Sequence, residues 1–176
     1  MPKCDTLLRR PAGSADESLL RGLFADSRPD LALLAPEVRE GLLDLQFRAQ
    51  WSQYAASYPD ARHDILLADG VEVGRLLVED TSDAVRIVDV TVGSAHRGRG
   101  IGSAALREVI QEAERARLPV RLSVWSENRE ARRLYESLGF EDVENPVENP
   151  VENPGPLTVG YLEMRRPAVP EGAATP

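Results

Sequence analysis

A β-like run that leads through a glycine-rich turn into an amphipathic helix constrains the fold of this chain more than any other feature. Residues 85–92 alternate in polarity and are rich in β-branched side chains, which predicts a strand. Three glycines follow, at positions 98, 100 and 102. Apolar residues at helical spacing then predict a helix: Leu106, Val109, Ile110 and Ala113. Because a second alternating run at 120–125 follows Pro119, the two strands flanking this helix should run parallel, as in an α/β fold.

The segment that precedes this unit predicts two helices. Ser14 and Glu17 have the spacing of a capping box, in which each residue bonds the backbone near the other, and a short helix should follow. Pro36 suits the first position of a longer helix, which Pro59 should end. The N-terminal third of the chain is therefore expected to be largely helical.

Two β-like runs, 63–68 and 71–78, lie between those helices and the first strand described above. They are joined by Asp69-Gly70, a dipeptide typical of two-residue hairpin turns. An antiparallel pair of strands is predicted here. After the strand at 120–125, a helix capped by Ser126 or Asn128 is predicted to end at Gly139, and a last strand is predicted at 158–164.

The length of 176 residues and a hydrophobic content of 42% predict one domain, which we place at 1–166. Residues 167–176 are small and rich in proline, so we expect a disordered tail. Val-Glu-Asn-Pro occurs three times over residues 143–154. Because proline at every fourth position prevents sheet pairing, this repeat should form a loop. The loop is either a tolerated expansion or an acidic flap near a cationic substrate.

Composition excludes several classes of protein. No apolar run exceeds residues 31–35, far below the roughly 20 residues of a membrane-spanning helix. No signal or lipidation motif is present, which predicts a cytoplasmic protein. The single cysteine, Cys4, cannot form an internal disulfide or a thiolate metal cluster. A formal net charge of −8 disfavours binding to nucleic acid or to an anionic membrane.

The glycine-rich turn has the properties of an anion-binding loop. Backbone N–H groups can converge on an anion there, at the positive end of the following helix. No Gly-Lys-Ser/Thr follows, which excludes the Walker motif, and Ser103 and Ala105 break the dinucleotide-binding glycine pattern. The alternative is an ordinary tight turn.

Two motifs in this region resemble those of a known family. Arg97-x-x-Gly100-x-Gly102, between a strand and a helix, resembles the pyrophosphate motif of the GNAT superfamily of acetyl-CoA-dependent N-acetyltransferases. Residues 128–140, with Asn128 near the helix start and Tyr135 ahead of Leu-Gly-Phe, resemble its second signature. The two motifs span 85–140, about a third of the chain. The resemblance implies a GNAT-type acyl-CoA N-acyltransferase fold, a mixed central sheet flanked by helices, with strands splayed at the CoA site.

The resemblance also implies acetyl-CoA as the cofactor and assigns residues to it, with no metal. Loop amides and two arginines would bind the pyrophosphate: Arg97, Gly98, Arg99, Gly100, Ile101, Gly102 and Ser103. The pantetheine arm would pair with the backbone of the preceding strand at three residues: Val90, Thr91 and Val92. The second signature would contribute an arm-binding side chain and two residues near the phosphates: Asn128, Ala131 and Arg132.

Acetyl transfer to an amine needs a base, an oxyanion donor and an acid. By resemblance, a backbone N–H near Val92 is the donor and Tyr135 is the acid, since its unperturbed pKa of about 10 exceeds the roughly 8.5 of a thiol. Tyr135 could instead be a core aromatic. Asp89, an acid in an apolar run, is the candidate base, with a salt bridge to an arginine as the alternative. The glutamate that some family members carry falls near Arg86, and His96 is predicted to support the turn.

The acceptor pocket is implied to lie against the N-terminal helices. Four aromatic residues recur at helical spacing and would either pack in the core or line that pocket: Phe47, Trp51, Tyr54 and Tyr58. Gln46 and Gln50, on an adjoining face, could contact the substrate. The net charge favours a cationic acceptor.

The sequence therefore predicts an N-acetyltransferase that transfers the acetyl group of acetyl-CoA by direct attack of a primary amine, on a small molecule or an exposed amino group. The alternative is a non-catalytic acyl-CoA-binding or interaction module with the same fold, because a fold alone never proves an activity. The resemblance also allows a homodimer.

Overall fold

The computed structural model describes residues 6–143 and 160–169. Cys4 and almost all of the predicted repeat loop lie outside these residues. Of the predicted tail, only 167–169 are described, in neither helix nor strand.

The described chain contains eleven α-helices and β-strands, besides three short 3₁₀ helices. In chain order they are β1 (Leu7–Pro11), α1 (Glu17–Asp26), α2 (Pro36–Ser57), β2 (Arg62–Ala68), β3 (Val71–Asp80), β4 (Val85–Val92), α3 (Ile101–Ala116), β5 (Val120–Trp125), α4 (Arg129–Ser137), β6 (Glu141–Asp142) and β7 (Tyr161–Arg166). The strands form one sheet in the order β1-β2-β3-β4-β5-β7-β6. The sheet is mixed, because β4 and β5 are parallel whereas β5 and β7 are antiparallel. The predicted mixed sheet flanked by helices is confirmed.

The described chain divides into two compact units. The first comprises the described part of Met1–Leu77 together with Asp89–Gly102. Its core is a cluster of buried side chains from α1, α2, β2 and the α1–α2 connection: Leu20, Phe24, Leu31, Leu43, Phe47 and Ile65. Each such side chain contributes about 1.5–3 kcal/mol through removal of apolar surface from water. In the same unit β1 pairs antiparallel with β2, from Leu7 opposite Ala68 to Pro11 opposite Asp64.

The second unit comprises Val78–Val88 and the described part of Ser103–Pro176. Its α3 buries the apolar stripe predicted from the sequence, and β5 pairs antiparallel with β7 along its whole length. The parallel pairing of β4 with β5 joins Val85–Ile87 to Val120–Leu122. That pairing covers the first three residues of β4.

Local patterns predicted most boundaries correctly. The bounds of β4 and β5 match those predicted, and Asp69 and Gly70 adopt the left-handed conformation of a tight hairpin turn, at φ values of 53° and 81°. Asn128, one of the two candidates, caps α4. Within the described residues, no helix is long and apolar enough to cross a membrane.

Two local predictions were wrong. No Ser14–Glu17 capping box forms; instead the Asp16 carboxylate accepts a 2.7 Å hydrogen bond from the backbone N–H of Gly13, in a short 3₁₀ turn before α1. Arg10 drives this choice, because its guanidinium binds both oxygens of Asp16 and lowers the pKa of that carboxyl to about 2. The last strand begins after Gly160 and extends to Arg166, because β7 follows the register set by β5.

Candidate active site

The glycine-rich turn leaves an open cradle at the start of α3. Gly98 and Gly100 have φ values of 73° and 79°, a conformation that side chains rarely adopt. A Cβ atom at either position would meet nothing within 4 Å, so the space beside both backbones is empty. The first N–H groups of α3 also lack intrahelical acceptors. These features suit an anionic group bound by backbone amides and the helix dipole.

Both arginines of the loop make contacts that hold the turn in place. Arg97 Nε donates to the Val92 carbonyl oxygen over 3.0 Å. Arg99 Nη2 lies 3.2 Å from Asp69 Oδ2, and its Nη1 lies 3.5 Å from His96 Nδ1. The positive charge predicted for the loop is therefore present, but Asp69 offsets part of it. His96 lies in the turn that it was predicted to support.

Asp26, at the last position of α1, is a site residue that sequence reasoning missed. Its Oδ2 accepts hydrogen bonds from both the backbone N–H and the hydroxyl of Ser94, each over 2.8 Å. These bonds, with a smaller contribution from Arg97, lower the pKa of Asp26. The start of the anion loop is thus tied to α1 across 68 positions of sequence.

Gly74 fixes the backbone of the segment predicted to bind the pantetheine arm. A Cβ atom on Gly74 would lie 2.3 Å from the Thr91 carbonyl oxygen and 3.2 Å from the Val92 Cα. Only glycine therefore allows β3 to approach β4 this closely. The Gly93 N–H donates to the Val73 carbonyl oxygen over 2.8 Å and holds the end of β4 in the same place.

Asp89 forms the salt bridge that the sequence left open as an alternative to a catalytic role. Arg75 Nε lies 2.6 Å from Asp89 Oδ2, and the Arg75 side chain is only 4% exposed. Gln50 Oε1 accepts a 2.9 Å bond from Arg75, and the Tyr54 ring lies 5.7 Å from the guanidinium carbon. Thr91 Oγ1 donates to Asp89 from 3.3 Å. The ion pair and the hydrogen bond therefore fix the aspartate in position.

The helix α2 uses its predicted aromatic face mainly for packing. Phe47 packs on Phe24 with ring centroids 5.9 Å apart, whereas Tyr54 covers Arg75. Gln46 accepts a hydrogen bond from Arg28, so both glutamines predicted to face a substrate hold arginines instead.

In the second unit, α4 carries the residues of the second signature. Asn128 Oδ1 accepts a 3.1 Å bond from the backbone N–H of Ala131, which leaves its amide NH₂ group as a donor. Arg132 Nη2 lies 2.8 Å from Asp142 Oδ2, so an acidic neighbour already balances its charge. Tyr135 is buried, with its ring centroid 5.9 Å from that of Phe140. Packing alone is compatible with either role considered for this tyrosine.

The predicted site residues therefore fall into two groups. Asp89 and the residues from Val90 to Gly102 belong to the first unit, whereas Ser103, Asn128, Ala131, Arg132 and Tyr135 belong to the second. Within the first unit the structure joins the loop to α1 through Asp26 and to the hairpin turn through Asp69, and Gly74 lets β3 lie close to the end of β4.

Comparisons with known proteins identify relatives. The model of the acetyltransferase (GNAT) family matches residues 29–140, more than half of the chain. N-alpha-acetyltransferase 40 of Saccharomyces cerevisiae is 39% identical over 79 residues, which cover 40% of this chain and 28% of that protein. The chain thus matches little more than a quarter of the length of this curated relative.

Solved structures that share the fold include two N-acetyltransferases. The PaiA N-acetyltransferase of Thermoplasma acidophilum, in complex with coenzyme A, has a TM-score of 0.64 at 14% identity, covering 92% of this chain and 99% of that one. The ribosomal-protein-S18-alanine N-acetyltransferase of Escherichia coli has a TM-score of 0.61 at 19% identity, covering 97% and 99%.

Proposed function

Since this chain belongs to the acetyltransferase (GNAT) family, we propose that it transfers the acetyl group of acetyl-CoA to the α-amino group at the N-terminus of a peptide or protein. The predicted family, fold and acetyltransferase class are confirmed. The choice of acceptor rests on one observation, the 39% identity to an N-alpha-acetyltransferase over 79 residues. A cytoplasmic location belongs to the same proposal.

The anion loop fits the diphosphate of coenzyme A. Its two left-handed glycines leave open space where side chains would stand. Backbone N–H groups of the loop and of the first turn of α3 can donate hydrogen bonds to an anion in that space. Residues from Arg97 to Ser103 would hold the diphosphate, the backbone from Val90 to Val92 would hold the arm, and Asn128 would add its amide donor. Bound acetyl-CoA supplies a thioester carbonyl, which an amine can attack, and a thiolate leaving group.

The remaining chemistry falls to side chains of this chain. The α-amino group must lose a proton before its nitrogen can attack the thioester carbonyl. Asp89 accepts that proton, directly or through water. Arg75 orients that carboxylate. The Val92 backbone N–H stabilises negative charge that develops on the acyl oxygen, and Tyr135 returns a proton to the departing sulfur. Ala131 and Arg132 lie near the phosphates in this scheme.

The acceptor is expected to be basic. The formal net charge of −8 attracts cations over long range, and this attraction raises the rate of encounter more than it selects between amines. A peptide whose N-terminal residues include lysine or arginine therefore fits the chain better than an acidic one.

Mass spectrometry of products distinguishes the acceptor classes. The chain is incubated with acetyl-CoA and, in separate reactions, a basic peptide with a free amino terminus, the same peptide with a blocked terminus and an internal lysine, or spermidine. We expect acetylation of the free terminus alone. Preferred turnover of spermidine or of the lysine side chain would overturn the acceptor assignment. Acetyl-CoA binding without transfer to any amine would favour the non-catalytic module.

A further inference from the structure

A cavity of about 680 Å³ lies in the first unit, between the start of α1 and the second half of α2. Apolar and aromatic side chains form half of its wall, including Leu20, Phe47 and Trp51. Trp51 is 42% exposed although it packs against the His63 ring at 5.1 Å between centroids. A volume of several hundred cubic ångströms with aromatic walls and a few polar groups is typical of small-molecule sites.

Two exposed side chains of opposite charge in the cavity wall have no ion-pair partner among the described residues. They are Glu17, in the first turn of α1, and Arg48, in the middle of α2. One turn from each, Arg21 and Asp44 do pair across the same two helices, with Arg21 Nε 2.6 Å from Asp44 Oδ1. Because residues four apart share a helix face, Glu17 and Arg48 would be expected to pair similarly. Instead they line one cavity.

His63 makes this wall poorly suited to packing alone. Its Nε2 atom is buried and has no hydrogen-bond partner in the described part of the chain. A buried polar atom without a hydrogen-bond partner destabilises a folded structure. Burial, with a further contribution from Arg75, lowers the pKa of His63, so the ring is neutral near pH 7. His63 therefore adds no net charge to the cavity wall.

The cavity is remote from the anion loop. His63 lies near the start of β2, whereas Asp69, which binds Arg99 of the loop, comes directly after the end of β2. Six residues of strand at roughly 3.3 Å each separate the two ends by about 20 Å. A ligand in this cavity would thus be distinct from the one that the loop holds.

We propose that this cavity is a second ligand site, which binds a free aromatic α-amino acid. The ammonium group pairs with Glu17, the carboxylate pairs with Arg48, and the aromatic side chain packs against Phe47 and Trp51. Each charge that the fold leaves unpaired then has a partner of opposite sign. An apolar ligand would leave both charges unpaired, and a simple cation or anion would satisfy only one of them.

Fluorescence of Trp51 tests the site directly. In a Trp125→Phe background Trp51 is the single tryptophan of the chain, and L-phenylalanine is titrated up to the millimolar range with excitation that phenylalanine does not absorb. We expect a saturable change in Trp51 emission. Phenylalaninamide lacks the carboxylate and 3-phenylpropionate lacks the ammonium group, so each should bind at least about tenfold more weakly.

Variants identify the two charges. Arg48→Ala and Glu17→Gln should each weaken L-phenylalanine binding at least about tenfold, whereas Arg39→Ala and Glu37→Gln, on α2 but outside the cavity wall, should not change it. Arg48→Ala should leave phenylalaninamide binding unaltered. The absence of a saturable change, equal binding of the three compounds, or equal effects of all four variants would overturn the proposal. Acetylation of L-phenylalanine that is lost in Arg48→Ala would reassign the cavity to the acceptor.

Discussion

The buried ion pair between Arg75 and Asp89 offers a quantitative test of this structure. Asp89→Asn removes the negative partner and leaves a guanidinium, 4% exposed, that contacts Gln50 and the face of Tyr54, neither of which is a carboxylate. Breaking a buried pair by removing one partner typically destabilises a protein by 3–5 kcal/mol. Since Asp89 is 19% exposed and water can reach part of its side chain, we expect the lower end, about 3 kcal/mol.

A loss of about 3 kcal/mol is large enough to measure by two methods. For a chain of this size it lowers the melting temperature by about 6–12 °C. Urea unfolding followed by circular dichroism should give a lower midpoint with an unchanged slope. The double variant Arg75→Met, Asp89→Asn removes both charges, so it should be more stable than Asp89→Asn by at least about 1 kcal/mol.

Two outcomes would contradict this account of the pair. Stability of Asp89→Asn within about 0.5 kcal/mol of wild type would mean that Arg75 is solvated or has another partner. Additive effects in the double variant would mean that the two charges do not interact. The double variant also separates folding from catalysis, because a well-folded protein that still lacks turnover would identify Asp89 as the proton acceptor.

Three further variants test the anion loop, the proposed acid Tyr135 and the contact of Asp26 with Ser94. Gly100→Val should weaken acetyl-CoA binding at least about tenfold in calorimetry, because it strains a left-handed residue and fills the cradle, whereas Gly41→Ala, with open space in α2, should not. Tyr135→Phe should lower kcat about 100-fold or more while leaving acetyl-CoA affinity unchanged, and an equal loss of affinity would make it a packing residue. Asp26→Ala should raise the Kd for acetyl-CoA about threefold to tenfold. Because Ser94 lowers the pKa of Asp26 below its ordinary value of 3.8, the stability from this contact is complete above about pH 4 and is lost as the pH falls through the lowered pKa. Stability profiles of Asp26→Ala and wild type should therefore differ above pH 4 and converge below it.

Much of the fold could be predicted because its signals are local. Alternation and β-branched residues set the bounds of β4 and β5, and the Asp69-Gly70 turn set the hairpin. The strand β6 has two residues and exists only through pairing with β7, so no local pattern marks it. The Ser14 capping box failed for a similar reason, since the competing contact comes from Arg10 on β1.

The glycine-rich loop of the candidate site could be predicted from the sequence, whereas the contacts that hold the site in place could not. Arg97, Gly98 and Gly100 stand in a short motif whose conformational needs are visible in the residues themselves. Asp26 is tied to Ser94, 68 positions away, and nothing in the sequence of α1 distinguishes it from an ordinary surface aspartate. A lone acid in an apolar strand did indicate that Asp89 had a partner or a purpose, but its partner could not be identified without the pairing of β3 with β4.

Thermal denaturation with acetyl-CoA tests the central claim most directly, with NAD and ATP as controls. At a concentration one hundred times the Kd, a ligand that binds only the native state stabilises it by about 2.7 kcal/mol, or about 5–11 °C in this size range. We predict such a shift with acetyl-CoA alone and its loss in Gly100→Val. No shift, or an equal shift with NAD or ATP, would contradict the assignment of this loop to the diphosphate of acetyl-CoA.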